Sequence, residues 1–209
     1  MAYATPAEDR PRLRSLARAR AAIDGCRACP LWESATQGVP GEGPSDARLM
    51  LVGEQPGDRE DLAGHPFVGP AGRLLDRALA DAGIDRATVY LTNAVKHFKH
   101  ERRGTRRLHK RPATGEVRAC HWWLAQELAV VRPTLVVALG ATALESLAGR
   151  AGRVGDLRGR PRPLDAGATL WVTVHPSFLL RVPEARRAGE YDAFVADLAG
   201  ARDWLAAHG

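Results

Sequence analysis

Arg48-Leu49-Met50-Leu51-Val52-Gly53, followed at once by Glu54-Gln55-Pro56-Gly57, is the stretch on which the fold turns. A short, uninterrupted apolar run bounded by turn residues suits a strand covered on both faces, as in a parallel sheet. The polar turn sits at its C-terminal end. Residues 89–95, 134–139 and 169–174 repeat the pattern. Helices are predicted between these runs. Leu74, Leu75, Ala78 and Leu79 recur at helical spacing after residues 69–72, with Gly83 as the stop. Thr114, with Glu116-Val117 behind it, starts a helix through Cys120, Trp123, Leu124, Glu127 and Leu128, which Arg132-Pro133 ends. Gly140-Ala141-Thr142 opens a short helix to Leu147, residues 178–180 are briefly helical, and a last helix runs from Glu184 to Ala207. Strands alternating with helices give an α/β fold, a three-layer αβα sandwich around a central four-stranded parallel sheet. A Gly/Arg/Pro-rich link over residues 149–163 joins that short helix to the fourth strand.

At 209 residues the chain fits one domain over residues 1–209. Thirty Lys and Arg against twenty-four Asp and Glu give a net charge of +6, which favours an anionic partner such as nucleic acid. No apolar run approaches the roughly 18 residues of a membrane span, so no membrane partner is expected. Residues 1–22 lack the apolar centre of a secretory signal, and residues 7–22 read as an Arg-rich surface helix. An odd count of three Cys without an export signal points to a reduced, cytoplasmic setting. Cys26 and Cys29 form a C-x2-C pair that follows no strand, which favours metal over redox use; Cys120 stands alone.

The second strand runs into the most charged part of the chain. From Lys96 to Arg118 there are nine Lys or Arg and two Glu, with His97, His100 and His109 among them. Such a run is not core. It leaves the C-terminal end of a strand, where open α/β sheets bind ligands, and it is too long for a mere connector. A phosphate-facing functional loop over about residues 98–113 is therefore expected. The polar clusters after the first, second and fourth strands then share one edge of the sheet, and that edge is the expected site.

Gly53-Glu54-Gln55-Pro56-Gly57, Glu60-Asp61, Pro66-Phe67-Val68-Gly69, Ala71-Gly72, Thr92-Asn93-Ala94-Val95-Lys96 and His175-Pro176-Ser177 together resemble the motif series of the iron–sulfur (family 4) uracil-DNA glycosylases. Two features are similar to the UdgX-like branch of that family. Gln55 stands where the ordinary family has Ala, and an arginine-rich insert ends in Arg106-Arg107-Leu108-His109-Lys110, close to the Arg-Arg-Ile-His of that branch. The resemblance implies the uracil-DNA glycosylase fold and excision of uracil from DNA, with single strands favoured. It further implies that His109 becomes covalently joined to C1′ of the abasic sugar, so that each protein turns over once. A conventional multiple-turnover family 4 enzyme and a non-catalytic, metal-bearing DNA-binding protein are the alternatives.

The resemblance also implies site residues. A [4Fe–4S] cluster would be held by Cys26, Cys29, Cys120 and His97, the last standing where the family has a Cys. Tetrahedral zinc is the rival for a Cys3His set, and His100 and His121 are weaker fourth ligands. Phe67 would stack on the flipped uracil, and Asn93, with an amide donor and acceptor, would read its edge. His175 would donate to a uracil oxygen, while Glu54 and Gln55 face the sugar. Gly53, Gly57 and Asp58 complete the substrate site, and Arg106, Arg107 and Lys110 are expected on DNA phosphates, a salt-dependent contribution. A monomer acting on uracil-containing DNA and binding uracil is expected.

Overall fold

The computed structural model describes residues 12–13, 15–149, 152–164 and 167–208. In chain order the elements are α1 (Ala19–Asp24), β1 (Leu49–Gly53), α2 (Asp58–Ala63), α3 (Pro70–Asp81), β2 (Val89–Asn93), β3 (His100–Arg103), β4 (Arg106–His109), α4 (Thr114–Val131), β5 (Leu135–Leu139), α5 (Ala141–Ala148), α6 (Val154–Leu157), β6 (Arg162–Pro163), β7 (Thr169–Thr173), α7 (Pro176–Leu179) and α8 (Glu184–Ala207).

The main sheet has the order β2-β1-β5-β7-β6. Its first four strands are parallel, as the apolar runs imply, and every residue of β1, β2 and β5 is buried. Alternate side chains leave opposite faces. Leu49, Leu51, Leu135, Val137 and Leu139 pack with α3 and α8, where Leu75, Leu79, Phe194 and Leu198 are buried. Met50, Val52, Val136 and Ala138 pack with Leu124 of α4 and Leu144 of α5 on the other face. A third cluster joins Ala19, Ile23 and Leu31 to Val95, Val117, Cys120 and Trp123.

The structure departs from the sequence expectations in several places. A fifth strand, β6, pairs antiparallel with β7 at the end of the expected Gly/Arg/Pro-rich link, and its Pro163 is tolerated because the strand is at the edge. Asp58–Ala63 is helical although its only apolar residues, Leu62 and Ala63, are adjacent and make no helical period. The strand expected over residues 89–95 ends at Asn93, but Ala94 and Val95 still donate backbone hydrogen bonds to Gly53 and Glu54 at 2.9 and 3.0 Å.

The largest correction concerns the basic run. It is an antiparallel hairpin of β3 and β4 in the register His100↔His109 to Arg103↔Arg106, turning at Gly104, whose φ is 58°. Of the N-terminal helix, residues 7–11 and 14 lie outside the described residues; a 3-10 turn at Leu16–Arg18 leads into α1. No described helix is long and apolar enough to cross a membrane.

Candidate active site

The parallel register places Gly53 beside Asn93 at the C-terminal edge of the sheet. Phe67 reaches the same point from the loop between α2 and α3. A Cβ on Gly53 would lie 2.4 Å from Asn93 Oδ1 and 2.6 Å from Phe67 Cζ, so only glycine allows the three to converge. Phe67 is 5% exposed and sits at φ 57°, a left-handed conformation rare for an aromatic residue. Its strained backbone is wedged by α3, because a Cβ on Gly72 would meet the Phe67 carbonyl oxygen at 1.7 Å. Buried Glu60 ties the loop from below, accepting from Gly57 N at 3.1 Å and Gly69 N at 2.7 Å. Among the described residues, none hydrogen-bonds the Asn93 side-chain amide, which leaves its donor and acceptor for a ligand.

His175 closes the other side of this slot. Its ring lies 6.4 Å from that of Phe67, with an interplanar angle of 27°. The Ser177 backbone N–H donates to its Nδ1 at 3.1 Å, so the neutral imidazole carries its proton on Nε2. Burial lowers its pKa to about 4, with the nearby Glu54 charge acting the other way. At neutral pH it is an uncharged N–H donor.

Glu54, first residue after β1, faces the hairpin. Its Oε1 is 3.2 Å from His109 Nε2, and its Oε2 accepts the Thr142 hydroxyl at 2.6 Å. Burial opposes the carboxylate charge, but the hydrogen bonds from His109 and Thr142 and the two nearby histidines outweigh it. The pKa of Glu54 is therefore lowered, and the group is ionised. His109 remains 51% exposed at its side chain.

The hairpin is held by contacts that the sequence reading assigned elsewhere. Gln55, expected on the sugar side, is buried and bonds backbone instead. Its amide nitrogen donates to the carbonyls of Lys99 (3.2 Å) and Lys110 (3.0 Å), and its oxygen accepts from Lys99 N (3.0 Å). Arg107, expected on phosphate, has other partners: Nε donates to Asp58 at 2.6 Å and a terminal nitrogen to buried Asp61 at 2.5 Å. Asp58 thus anchors the hairpin to α2, and Gly57 serves the turn before it. Buried Phe98 forms an apolar pedestal, its ring 5.0 Å from His100 and 6.2 Å from His109. Arg106 is exposed, and exposed Lys110 pairs with Glu101 at 2.5 Å.

Beneath Asn93 lies a fully buried ion pair. Lys96 Nζ donates to Glu127 (2.7 Å), to the Thr92 hydroxyl oxygen (2.6 Å) and to the Asn93 carbonyl (2.8 Å). Glu127 also accepts from Gly41 N at 2.9 Å and from the Thr92 hydroxyl at 2.7 Å. Sequence reasoning saw Glu127 only as a helix-face residue and gave Glu60 and Thr142 no role. A carboxylate at a buried helix position was the one available signal for Glu127.

Cys26, Cys29 and Cys120 gather in the third hydrophobic cluster. Trp123 Nε1 donates to Cys26 Sγ at 3.1 Å and Lys96 N to Cys120 Sγ at 3.2 Å. His97, next along the chain, is buried, and its pKa is lowered to about 4 by burial and then by Arg27. Burial pushes the Cys120 thiol up to about 12. Among the described residues, no three His, Cys, Asp or Glu side chains are arranged to hold a single metal ion.

Residues 40–199 match the model of the uracil DNA glycosylase superfamily. The type-4 uracil-DNA glycosylase of Pyrobaculum aerophilum is 39% identical over 181 residues, 83% of this chain and 88% of the relative. That of Thermotoga maritima is 40% identical over 160 residues, 76% and 80% of the two chains. That of Sulfurisphaera tokodaii is 31% identical over 186 residues, covering 85% and 81%. With a slot built from Gly53, Phe67, Asn93 and His175 at the sheet edge and homologues matched along most of their length, the chain belongs to the uracil-DNA glycosylase superfamily.

Proposed function

We propose that this protein excises uracil from DNA, preferring single strands, and that His109 then captures C1′ of the abasic sugar in a single turnover. The observation that carries the reading is the Glu54–His109 contact of 3.2 Å beside the Phe67–Asn93–His175 slot. Homology to enzymes named type-4 uracil-DNA glycosylases supports the excision.

Extruding uracil from the stack costs a few kcal/mol. Phe67 offers a face for the flipped ring, and Asn93 pairs with its O4/N3 edge. As the C1′–N1 bond breaks, its electron pair passes to the uracil ring, and the Nε2–H of His175 stabilises the charge on O2. The sugar is left with oxocarbenium character. A ring-nitrogen lone pair of neutral His109 forms the new bond to C1′, and the positive charge moves onto the imidazole beside ionised Glu54. The remaining N–H proton of the imidazolium passes to the Glu54 carboxylate, and the neutral imidazole left on C1′ is a poor leaving group, so turnover stops. Gln55 and Arg107 position the hairpin for this step. Arg102, Arg103, Arg106 and Arg111 are exposed, which supports a role for them on DNA phosphates.

A [4Fe–4S] cluster fits the donor set of Cys26, Cys29, Cys120 and His97. Two of the sulfurs already accept N–H hydrogen bonds, which thiolates at a cluster favour, and the raised Cys120 pKa means that burial alone disfavours its thiolate. When bound the cluster would cross-link the Cys26 loop and α4 to the segment that follows Asn93.

The test is a denaturing gel of the protein incubated with a uracil-containing single-stranded oligonucleotide, beside a thymine control and the His109→Ala variant. A heat- and detergent-stable shifted band that needs both uracil and His109 is expected. Alkali-sensitive cleavage without a band would establish conventional multiple turnover and remove the covalent role; neither signal would remove the activity.

A further inference from the structure

Thr142 belongs to no motif of the site, yet its hydroxyl makes the shortest contact to the charged group at the centre of it, 2.6 Å from Glu54 Oε2. The residue is 1% exposed, at the second position of α5. Its placement is built in. Gly140, before the helix, has φ 91°, and its N–H continues the sheet by donating to Thr173 O at 2.9 Å. A Cβ there would lie 3.0 Å from the His175 Cβ, so glycine lets the start of α5 pass between His175 and Glu54.

We infer that Thr142 is the positioning residue of the nucleophile: by holding Oε2 of Glu54, it turns Oε1 towards His109 and keeps the carboxylate ionised for the trapping step. The inference rests on the proposed role of Glu54 and His109. A carboxylate has two equivalent oxygens and free rotation about its terminal bond; one fixed donor removes that freedom. The titratable groups facing Glu54 are His109 from β4 and His175 before α7. Nearby Arg107 is paired with Asp58 and Asp61, and Arg111 lies 3.9 Å from Glu145. The hydroxyl of Thr142 is therefore the one side-chain donor on Oε2 of this carboxylate among the described residues. The α5 N-terminus adds a favourable field in the same direction.

The test compares wild type, Thr142→Val and Thr142→Ser in single-turnover adduct formation across pH, with thermal melting as a folding control. Thr142→Val keeps the shape and removes the donor. Its adduct formation is expected to slow about tenfold or more, the effect of one hydrogen bond to a charged group. The acid limb of its profile should move to higher pH, because Glu54 loses a contact that lowers its pKa. Thr142→Ser should restore both. A folded Thr142→Val variant with the wild-type rate and limb would overturn the inference. So would a limb that moves equally in the serine variant. If wild type cleaves uracil strands without forming an adduct, the covalent reading fails by itself. The same shift is then read on the acid limb of excision, and an unmoved limb again overturns the role of Thr142.

Discussion

The slot and the hairpin meet at Glu54 but are built on opposite principles. Gly53, Phe67, Asn93 and His175 are fixed by packing and backbone: a parallel register, a glycine that admits no Cβ, and an aromatic residue forced to φ 57°. The hairpin has almost no core of its own beyond Phe98, and a few polar side chains hold it, chiefly Gln55, Arg107 and Glu54. In the proposed reaction the slot recognises one base edge, which calls for rigidity, whereas the arm reaches a sugar, which calls only for an anchored base. Excision and trapping should therefore be separable by mutation.

The largest expected effect lies under the slot. Glu127→Ala leaves Lys96 charged and buried without its partner, which should destabilise the fold by about 3–5 kcal/mol. Urea denaturation measures it, and a loss below about 1 kcal/mol would deny that the pair supports the slot. Next, Gly53→Ala drives a methyl group into Asn93 and Phe67; excision should fall by about 100-fold, assayed by alkaline cleavage of a uracil oligonucleotide. Arg107→Ala loosens only the arm. Its adduct formation should drop about tenfold, more than excision does, and equal losses in both assays would merge the two regions into one unit.

The smallest effect is on pH dependence. His175 is neutral in the folded protein, with a pKa of about 4 against an ordinary 6.5. The unfolded chain therefore binds the extra proton between these values, and this contribution to stability is whole above about pH 6.5 and declines as pH falls towards 4. Denaturation midpoints of His175→Asn, compared with wild type from pH 7 to pH 4.5, should be less pH-dependent, because His175 would no longer take up that proton.

The contrast also explains what could be read in the sequence. The strands and long helices were legible because packed elements leave apolar runs and helical periods, and the main departures there are boundary shifts and the two-residue β6. The hairpin was not, because His100-Glu101-Arg102-Arg103 and Arg106-Arg107-Leu108-His109 carry no alternation of apolar with polar residues. Its one local signal is Gly104-Thr105 between Arg103 and Arg106, a glycine where a tight hairpin turn requires positive φ. Gln55 was placed on the sugar because motif position says nothing about backbone partners 44 and 55 residues away. Thr142 acts on an atom 88 residues away that only folding brings near, so no spacing announces it, whereas Glu60 stands three residues after Gly57, a helix-start spacing that was available to read.

The insert enters and leaves the body at a single point, where Lys110 N donates to Lys99 O at 3.0 Å and Gln55 clasps both strands. Such a neck makes the hairpin a cassette. A related glycosylase scaffold with matching loop ends could accept it as a graft with its strand order unchanged, provided that a glutamine is placed to clasp the neck and an acidic pair to receive the arginine.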